Sequence, residues 1–232
     1  MRYNYHSEVS DYTVMEEYWE GPPYQDRIHA GEVLAKRLRD LDPQDPLVLA
    51  IPNGGVPVGA PIARALNCPL HLIVVRKLQI PENPEAGFGS VASDGTMLLN
   101  HTLVESLGIS EKTIQRQKGL AMKSIRERIS RYGKMAQFPE LFNRTVVLVD
   151  DGLASGFTME AAIHVVKKHS PGGVVVAVPT SSMTAFRRIS PLVDTLLCPD
   201  VSRLRIFAVA NAYKEWRDLD DEEIIAILRE SE

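Results

Sequence analysis

The stretch that most constrains the fold of this chain is residues 145–160, where two acids directly follow a short apolar run. Val146 to Val149 is rich in β-branched residues, which is typical of a buried parallel strand. Asp150 and Asp151 follow this strand, and a loop of small residues, Gly152 to Thr158, then opens a helical pattern. A strand that ends in acids and a loop that opens a helix predict an α/β fold with a ligand site at the end of the strand.

The residue types in this stretch suit a phosphorylated sugar. Backbone amides in a small-residue loop and at a helix N-terminus can hold a phosphate, because these N–H groups have no partner within the helix. Carboxylates can accept hydrogen bonds from ribose hydroxyls and can help to hold a hydrated metal ion. An ordinary strand–turn–helix corner with a capped helix is the structural alternative.

This stretch closely resembles the 5-phosphoribosyl-1-diphosphate (PRPP) motif of the type I phosphoribosyltransferases. That motif is four apolar residues, two acids, three variable residues, then Thr or Ser, Gly, any residue and Thr. Every position is matched, with Ser155 in place of the more usual Thr. We call the part from Asp150 to Thr158 the motif loop. The site residues that the resemblance implies there are Asp150, Asp151, Gly152, Leu153, Ala154, Ser155, Gly156, Phe157 and Thr158.

The resemblance implies transfer of ribose 5-phosphate from PRPP to a nitrogenous base, a purine or a pyrimidine, with release of diphosphate. The motif loop would hold the 5-phosphate, and Asp150 and Asp151 would orient the ribose hydroxyls as the catalytic residues. The same two acids would help to hold Mg2+, which is expected to bind together with PRPP or diphosphate. Catalysis would then depend mainly on positioning and electrostatics.

A second loop with ligand-binding character follows the predicted strand Leu47 to Ile51. It contains Asn53, Gly54 and Gly55, which we call the Asn53 loop, and a helix is predicted after it. Adjacent glycines between a strand and a helix let the backbone approach a ligand closely, although a tight turn alone can also require them. The resemblance implies that this loop contacts diphosphate. Related sequences often carry a basic residue where Asn53 stands, so the contact is an open question here.

Two cations follow the next predicted strand, Leu70 to Val75. Arg76 and Lys77 would lie at the carboxyl end of that strand and could meet a diphosphate there. A solvated strand end is the alternative for the same residues. The resemblance favours the contact, because in the family a basic residue after this strand binds diphosphate.

Residues 78–100 contain two short extended runs that are separated by Asp94 and Gly95, which is a strong hairpin signal. The resemblance implies that this hairpin is a flexible lid that keeps water from the sugar during the reaction. An ordinary surface hairpin is the alternative. Glu82 or Glu85 in this segment could supply a general base, or both could be surface carboxylates.

The segment 110–134 predicts a helix, with an apolar stripe at helical spacing that packs on the sheet. Its remaining face is basic, and we interpret this face as solvated rather than as a nucleic-acid surface. The residues assigned to the basic face are Arg116, Lys118, Lys123, Arg126, Arg128, Arg131 and Lys134.

Strands and helices alternate along the rest of the chain, which predicts a doubly wound, mostly parallel α/β sheet. Further strands are expected at residues 174–178, 193–197 and 204–209. Together with the resemblance, this pattern divides the chain into an N-terminal extension (1–24) and a phosphoribosyltransferase domain (25–232). The domain would include the lid hairpin and a small C-terminal hood, residues 198–232. The extension would pack on the domain or another subunit, or form a partly ordered tail.

Composition narrows the possible partners. The chain has 232 residues, 44% of them hydrophobic, and a net charge of −4, so its overall surface favours neither nucleic acid nor an anionic membrane. Cys68 and Cys198 have no metal-ligand spacing and are interpreted as reduced thiols of a cytoplasmic protein. We find no signal peptide or membrane span and expect small-molecule substrates. A homodimer is a family expectation.

The acceptor base is not fixed by the motif. In the 6-oxopurine enzymes of the family, an Asp that acts near the purine stands where this chain has Ala154. That difference favours the adenine or orotate type, whereas the C-terminal stretch around Asn211 resembles the 6-oxopurine type. Two further functions remain open, a regulator that binds PRPP or a nucleotide without catalysis and a phosphohydrolase that uses the same pocket.

Overall fold

A computed structural model of the chain describes residues 22–81, 83–204 and 206–231. The strands are β1 (Pro46–Ala50), β2 (Leu70–Leu72), β3 (Val75–Ile80), β4 (Asn83–Ala92), β5 (Met97–Leu99), β6 (Thr145–Val149), β7 (Gly173–Ala177), β8 (Thr180–Ser182), β9 (Thr195–Leu197) and β10 (Asp200–Ser202). The helices are α1 (Arg27–Asp40), α2 (Gly55–Leu66), α3 (His101–Ser106), α4 (Glu111–Tyr132), α5 (Phe157–Lys167), α6 (Met183–Ile189) and α7 (Asp221–Arg229). Most of the predicted N-terminal extension lies outside the described residues. No helix in the described ranges is both long and apolar enough to span a membrane.

Five strands form a central parallel sheet in the order β2-β1-β6-β7-β9. The chain passes from β1 through α2 to β2 at one edge, then returns to β6 on the other side of β1 and continues to β7 and β9. The direction of winding therefore reverses between β1 and β6, and open α/β sheets bind ligands at such a switch point. The prediction of a doubly wound, mostly parallel sheet is confirmed.

The residues of β6 show why helices cover both faces of this sheet. Val146 and Leu148 belong to one apolar cluster with α5 and α6, whereas Val147 and Val149 belong to another with α1, α2 and α7. Successive side chains of a strand point to opposite faces, so an apolar residue at every position requires cover on both sides. All four of these side chains are fully buried. The central strands are consequently held in place up to the point where the motif loop begins.

The predicted hairpin forms a separate antiparallel sheet in the order β3-β4-β5. Its predicted turn lies between β4 and β5, where Gly95 has φ +84° and the carboxylate of Asp94 accepts a hydrogen bond from the amide of Thr96 at 2.8 Å. Apolar side chains of β3 and β4 pack against α4. The hydroxyl of Ser90 donates to the carbonyl of Phe157 at 3.3 Å. The hairpin sheet thus contacts the beginning of α5, next to the motif loop.

Two strand predictions are wrong. The strand predicted over Leu70 to Val75 ends at Leu72, and Arg76 and Lys77 lie inside β3 of the hairpin sheet rather than after a strand of the central sheet. The strand predicted over 204–209 is absent from its described residues, and a short 3-10 helix, Val209–Ala212, begins at its end. Residues with high strand propensity form a strand only where packing and a neighbouring strand support them. Near this segment, the strand that does form is β10, which pairs with β8.

Candidate functional site

The motif loop connects β6 to α5 at the switch point of the sheet. Leu153 anchors its middle, because its amide donates to the carbonyl of Thr180 and its carbonyl accepts from the amide of Ser182, both at 2.9 Å. Gly156 caps α5 with φ +80°, a left-handed conformation that glycine adopts without strain. In the described part of the chain, no acceptor is hydrogen-bonded to the amides of residues 154–157. These amides therefore form a cradle that can bind an anion in front of α5.

The two acids of the motif face different surroundings. Asp150 lines a cavity of about 450 Å³, and its carboxylate accepts a hydrogen bond from the amide of Asp151 at 2.9 Å. The Asp151 carboxylate is directed towards α1, where Oδ2 accepts from Nε of Arg27 at 2.8 Å. It also lies against Gly54, where any side chain would overlap it, so the Asn53 loop needs glycine there. Burial raises the pKa of both Asp150 and Asp151. The charge of Asp151 raises the pKa of Asp150 further, whereas the charge of Arg27 opposes the rise in the pKa of Asp151.

Arg27 connects Asp151 to the C-terminal segment. Its guanidinium carbon lies 3.8 Å from the ring centroid of Trp216, and Nη1 donates to the carbonyl of Arg217 at 2.9 Å. The hydroxyl of Tyr213 donates to the backbone carbonyl of Asp151 at 2.6 Å. Part of the predicted hood therefore contacts the motif loop directly. Arg27 was not predicted as a site residue, because the helical pattern of α1 does not indicate which arginine faces a site.

Asn53 uses its side chain inside the protein. Its Nδ2 donates to the carbonyl of Leu219 at 2.7 Å, and its Oδ1 accepts from Nη1 of Arg128 at 2.9 Å and from the hydroxyl of Tyr132 at 3.2 Å. The same hydroxyl lies 2.8 Å from Oδ1 of Asp221, and burial together with this contact raises the pKa of Tyr132 to about 12. The Asn53 loop is thereby connected to the end of α4 and the start of α7.

The cavity beside Asp150 has walls from β3, α4, the end of β1 and the motif loop. Its lining residues are Ile51, Pro52, Val75, Arg76, Lys77, Gln79, Gln117, Leu120, Ala121, Ser124, Asp150 and Thr158. Of the predicted site residues, this cavity brings together Asp150, Thr158, Arg76 and Lys77. The remaining motif-loop residues lie between Asp150 and Thr158 in the chain, and Asn53, Gly54 and Gly55 follow the lining residue Pro52, but none of them lines the cavity.

The interpretation of the basic face of α4 as solvated is wrong for one residue, Arg128, whereas most of the other basic residues are exposed. The predicted solvated face includes Arg128, but this residue is only half-exposed and reaches the Asn53 loop. Burial lowers the pKa of Arg76, and the charge of Arg128 lowers it further, whereas the charge of Asp221 raises it. Arg128 follows the cavity residue Ser124 by four positions, about one helical turn, but Ser124 is identified as a cavity residue only by the structure.

The carboxylate of Asp150 on the cavity wall is compatible with a metal ion that binds together with a phosphorylated substrate. Asp150 is the acid on the cavity wall, and the described residues contain no group of three or more His, Cys, Asp or Glu side chains that could hold a metal. Mg2+ commonly takes one or two carboxylates and completes its shell with water and substrate phosphates. The base candidates Glu82 and Glu85 stay predictions, since Glu82 and the side chain of Glu85 lie outside the described part of the structure.

Comparisons with known proteins agree with the resemblance in the sequence. The family pattern of the phosphoribosyl transferase domain matches residues 24–200. Two curated relatives from Mycobacterium tuberculosis, strains CDC 1551 / Oshkosh and H37Rv, are named as candidate phosphoribosyl transferases. Each is 34% identical over 205 residues, which are 88% of this chain and 46% of the relative. This chain thus spans about half the length of these relatives.

A solved structure shows the same fold. The crystal structure of a protein from Thermus thermophilus has a TM-score of 0.75 and 35% sequence identity to this chain. The match covers 89% of this chain and 98% of that protein. The similarity therefore extends over most of both chains.

Proposed function

Because this chain belongs to the phosphoribosyl transferase domain family, we propose that it transfers ribose 5-phosphate from PRPP to a nitrogenous base and releases diphosphate. One observation carries the proposal: a single cavity joins Asp150 and Thr158 of the motif loop to Arg76 and Lys77 of β3. The acid at one part of the cavity suits ribose hydroxyls, and the cations at another part suit a diphosphate.

The motif loop would bind the 5-phosphate. The unpaired amides of residues 154–157 and the N-terminus of α5 provide donors and a favourable dipole for a dianion. The hydroxyls of Ser155 and Thr158 would add two side-chain donors. Phosphate bound there would fix one end of the sugar before the reaction begins.

The two acids would fix the other side of the ribose. Asp150 would accept hydrogen bonds from the 2- and 3-hydroxyls. Asp151 would accept a further hydrogen bond with the carboxylate oxygen that is not bonded to Arg27. Negative charge at this position favours the positive charge that develops at the anomeric carbon as the bond to diphosphate breaks. No covalent intermediate with the protein is required.

The cations would stabilise the leaving group. Arg76 and Lys77 would donate to diphosphate oxygens, and Asp150 would be the protein ligand nearest to a metal that enters with PRPP. When bound, Mg2+ would neutralise part of the diphosphate charge. Dependence on Mg2+ is part of the proposal.

The acceptor is proposed only as a class, a purine or a pyrimidine used in nucleotide salvage. Position 154 is an exposed alanine in the motif loop, and an alanine side chain cannot supply a carboxylate base. A cytoplasmic location, a homodimer and the absence of nucleic-acid partners stay predictions.

The decisive experiment is incubation with Mg2+ and PRPP in the presence of a panel of purine and pyrimidine bases, while diphosphate release is followed. Release that depends on one base supports the transferase and identifies the acceptor. Tight PRPP binding without release for any base would overturn the transferase and favour a regulator. Loss of phosphate or diphosphate that needs no base would favour a phosphohydrolase.

A further inference from the structure

Arg128 continues the wall that α4 contributes to the cavity. Gln117, Ala121 and Ser124 line that wall at intervals of four and three residues. Arg128 follows Ser124 after another four residues, so it lies on the same face of the helix, about one turn further along. This face of α4 therefore runs from the cavity to the Asn53 loop.

The Asn53 loop holds the Arg128 guanidinium in place. Nη1 of Arg128 donates to Oδ1 of Asn53 at 2.9 Å. The carboxamide of Asn53 is itself fixed by the carbonyl of Leu219 and the hydroxyl of Tyr132, at 2.7 and 3.2 Å. One guanidinium nitrogen is thus committed to the loop, and the planar group still has further N–H donors.

One carboxylate partly balances the charges around Arg128, since Asp221 raises the pKa of Arg76 and Arg128 lowers the pKa of Asp221. Neither Arg128 nor Arg76 forms an ion pair with a carboxylate in the described ranges, whereas Arg131 on the same helix pairs with Asp221 at 2.6 Å. Nε of Arg76 is buried without a hydrogen-bond partner in the structure. The charge of Arg128 lowers the pKa of Arg76, so the two guanidinium groups repel each other. An anion that contacts both groups would offset this repulsion and use their remaining donors.

We propose that Arg128 binds the diphosphate of PRPP together with Arg76, supplying from α4 the cation that the Asn53 loop lacks. This inference rests on the proposed function for the identity of the anion. Position 53 carries an amide that orients a cation rather than a cation of its own. The diphosphate site is then assembled from β3, α4 and the Asn53 loop.

The test compares Arg128→Gln with Arg126→Gln by calorimetric titration of two ligands, Mg2+-diphosphate and ribose 5-phosphate. Arg126 is an exposed arginine on the opposite side of α4, so it controls for the loss of one charge. Arg128→Gln should weaken diphosphate binding by about 10- to 100-fold, because a charge-assisted hydrogen bond is lost. It should leave ribose 5-phosphate binding, which depends on the motif loop, within about twofold. Arg126→Gln should change neither affinity by more than about twofold.

Three results would overturn the role of Arg128. The first is diphosphate binding by Arg128→Gln that equals that of the wild type. The second is an equal loss of both ligands, which would indicate structural damage, and the third is no diphosphate binding by the wild type. Failure of the proposed function is distinguishable, since it would show as Arg128-dependent diphosphate binding without base-dependent release in the transferase assay.

Discussion

The motif loop and the Asn53 loop follow neighbouring strands of one sheet, but they are built in different ways. The motif loop carries its anion-binding amides and its acids within one continuous stretch, residues 150–158. The Asn53 loop provides space through Gly54 and an anchor through Asn53, whose partner Arg128 is 75 residues away in the chain. One half of the proposed site is therefore local in sequence, and the other is assembled by the fold.

This difference determines how substitutions should act. Changes within the motif loop should affect binding and chemistry while the fold stays intact, because few distant elements depend on those side chains. Changes around Asn53 should affect ligand affinity and stability together. Asp151 is an exception to this difference between the loops. It belongs to the motif loop, but its carboxylate pairs with Arg27 of the distant helix α1.

Asp150→Asn should have the largest effect on activity. Removal of the charge should lower kcat/KM for PRPP by on the order of 100- to 1,000-fold, the range seen when one electrostatic contact to a transition state is lost. Stability at pH 7 should not fall, because burial and the neighbouring Asp151 already disfavour this charge and raise its pKa. Diphosphate release and thermal melting measure the two effects. Asp45→Asn, just before β1 at the opposite edge of the parallel sheet from the motif loop, is the control for activity. Near-normal turnover in Asp150→Asn would refute its role.

Arg27→Gln should have the second-largest effect on activity, and it should also lower stability. It would leave the largely buried carboxylate of Asp151 without its cation, which typically costs about 3 kcal/mol of unfolding free energy. Displacement of Asp151 should lower kcat/KM by about 10- to 100-fold. Urea denaturation and steady-state kinetics test this, and Arg27→Lys should recover part of both losses. If Arg27→Gln is no less stable than Arg39→Gln on the same helix, the pair between Arg27 and Asp151 does not contribute to stability.

Substitutions of Asn53 separate anchoring from charge. Asn53→Ala should weaken diphosphate binding by about tenfold and lower the unfolding free energy by about 1–2 kcal/mol, because the carbonyl of Leu219 and the guanidinium of Arg128 lose their hydrogen-bond partner. Asn53→Asp should keep the contact with Arg128, but it should lower stability, because a carboxylate has no N–H to donate to the carbonyl of Leu219. It should also weaken diphosphate binding, because the carboxylate would neutralise the cation. Calorimetry and denaturation distinguish the two variants. Unchanged affinity in Asn53→Asp would contradict the assembled site.

The smallest effect is expected at Asp221, which holds the end of α4. Burial alone would raise the pKa of Asp221, but hydrogen bonds from Tyr132 and Arg131 lower it overall. A carboxyl group with a lowered pKa stabilises the fold above its unfolded pKa and loses this contribution as pH falls through its folded pKa. Asp221→Asn should therefore lower the unfolding free energy by about 0.5–1 kcal/mol at pH 7. The difference from the wild type should shrink as pH drops below about 4, and a difference that grows in acid would reverse this interpretation.

The local half of the site could be predicted from the sequence because its geometry depends on neighbouring residues. A buried strand, two acids and a helix start fix where the amides of the motif loop point, whatever the rest of the chain does. The same reasoning predicted the turn at Asp94 and Gly95, where both residue types serve the turn itself. The central sheet was also predictable, because apolar residues at every strand position require helices on both faces.

The assembled half could not be predicted in the same way. Which of seven basic residues on α4 faces inward depends on how the helix lies against the hairpin sheet, and the charge pattern gave no direction. The error at residues 204–209 has a similar cause. Leu204 and Ile206 have strong strand propensity, but both are exposed, and the structure provides no neighbouring strand for them among the described residues.

Helix α4 has a mechanical consequence for the proposed reaction cycle. Its 22 residues form a rod of roughly 33 Å, with the hairpin sheet packed along it and Arg128 near its far end. A helix transmits displacement along its axis far better than a loop does. The hairpin sheet therefore cannot swing away from the cavity unless its apolar side chains separate from α4 or it takes α4 with it. In the second case, opening the cavity would also withdraw a cation from the departing diphosphate.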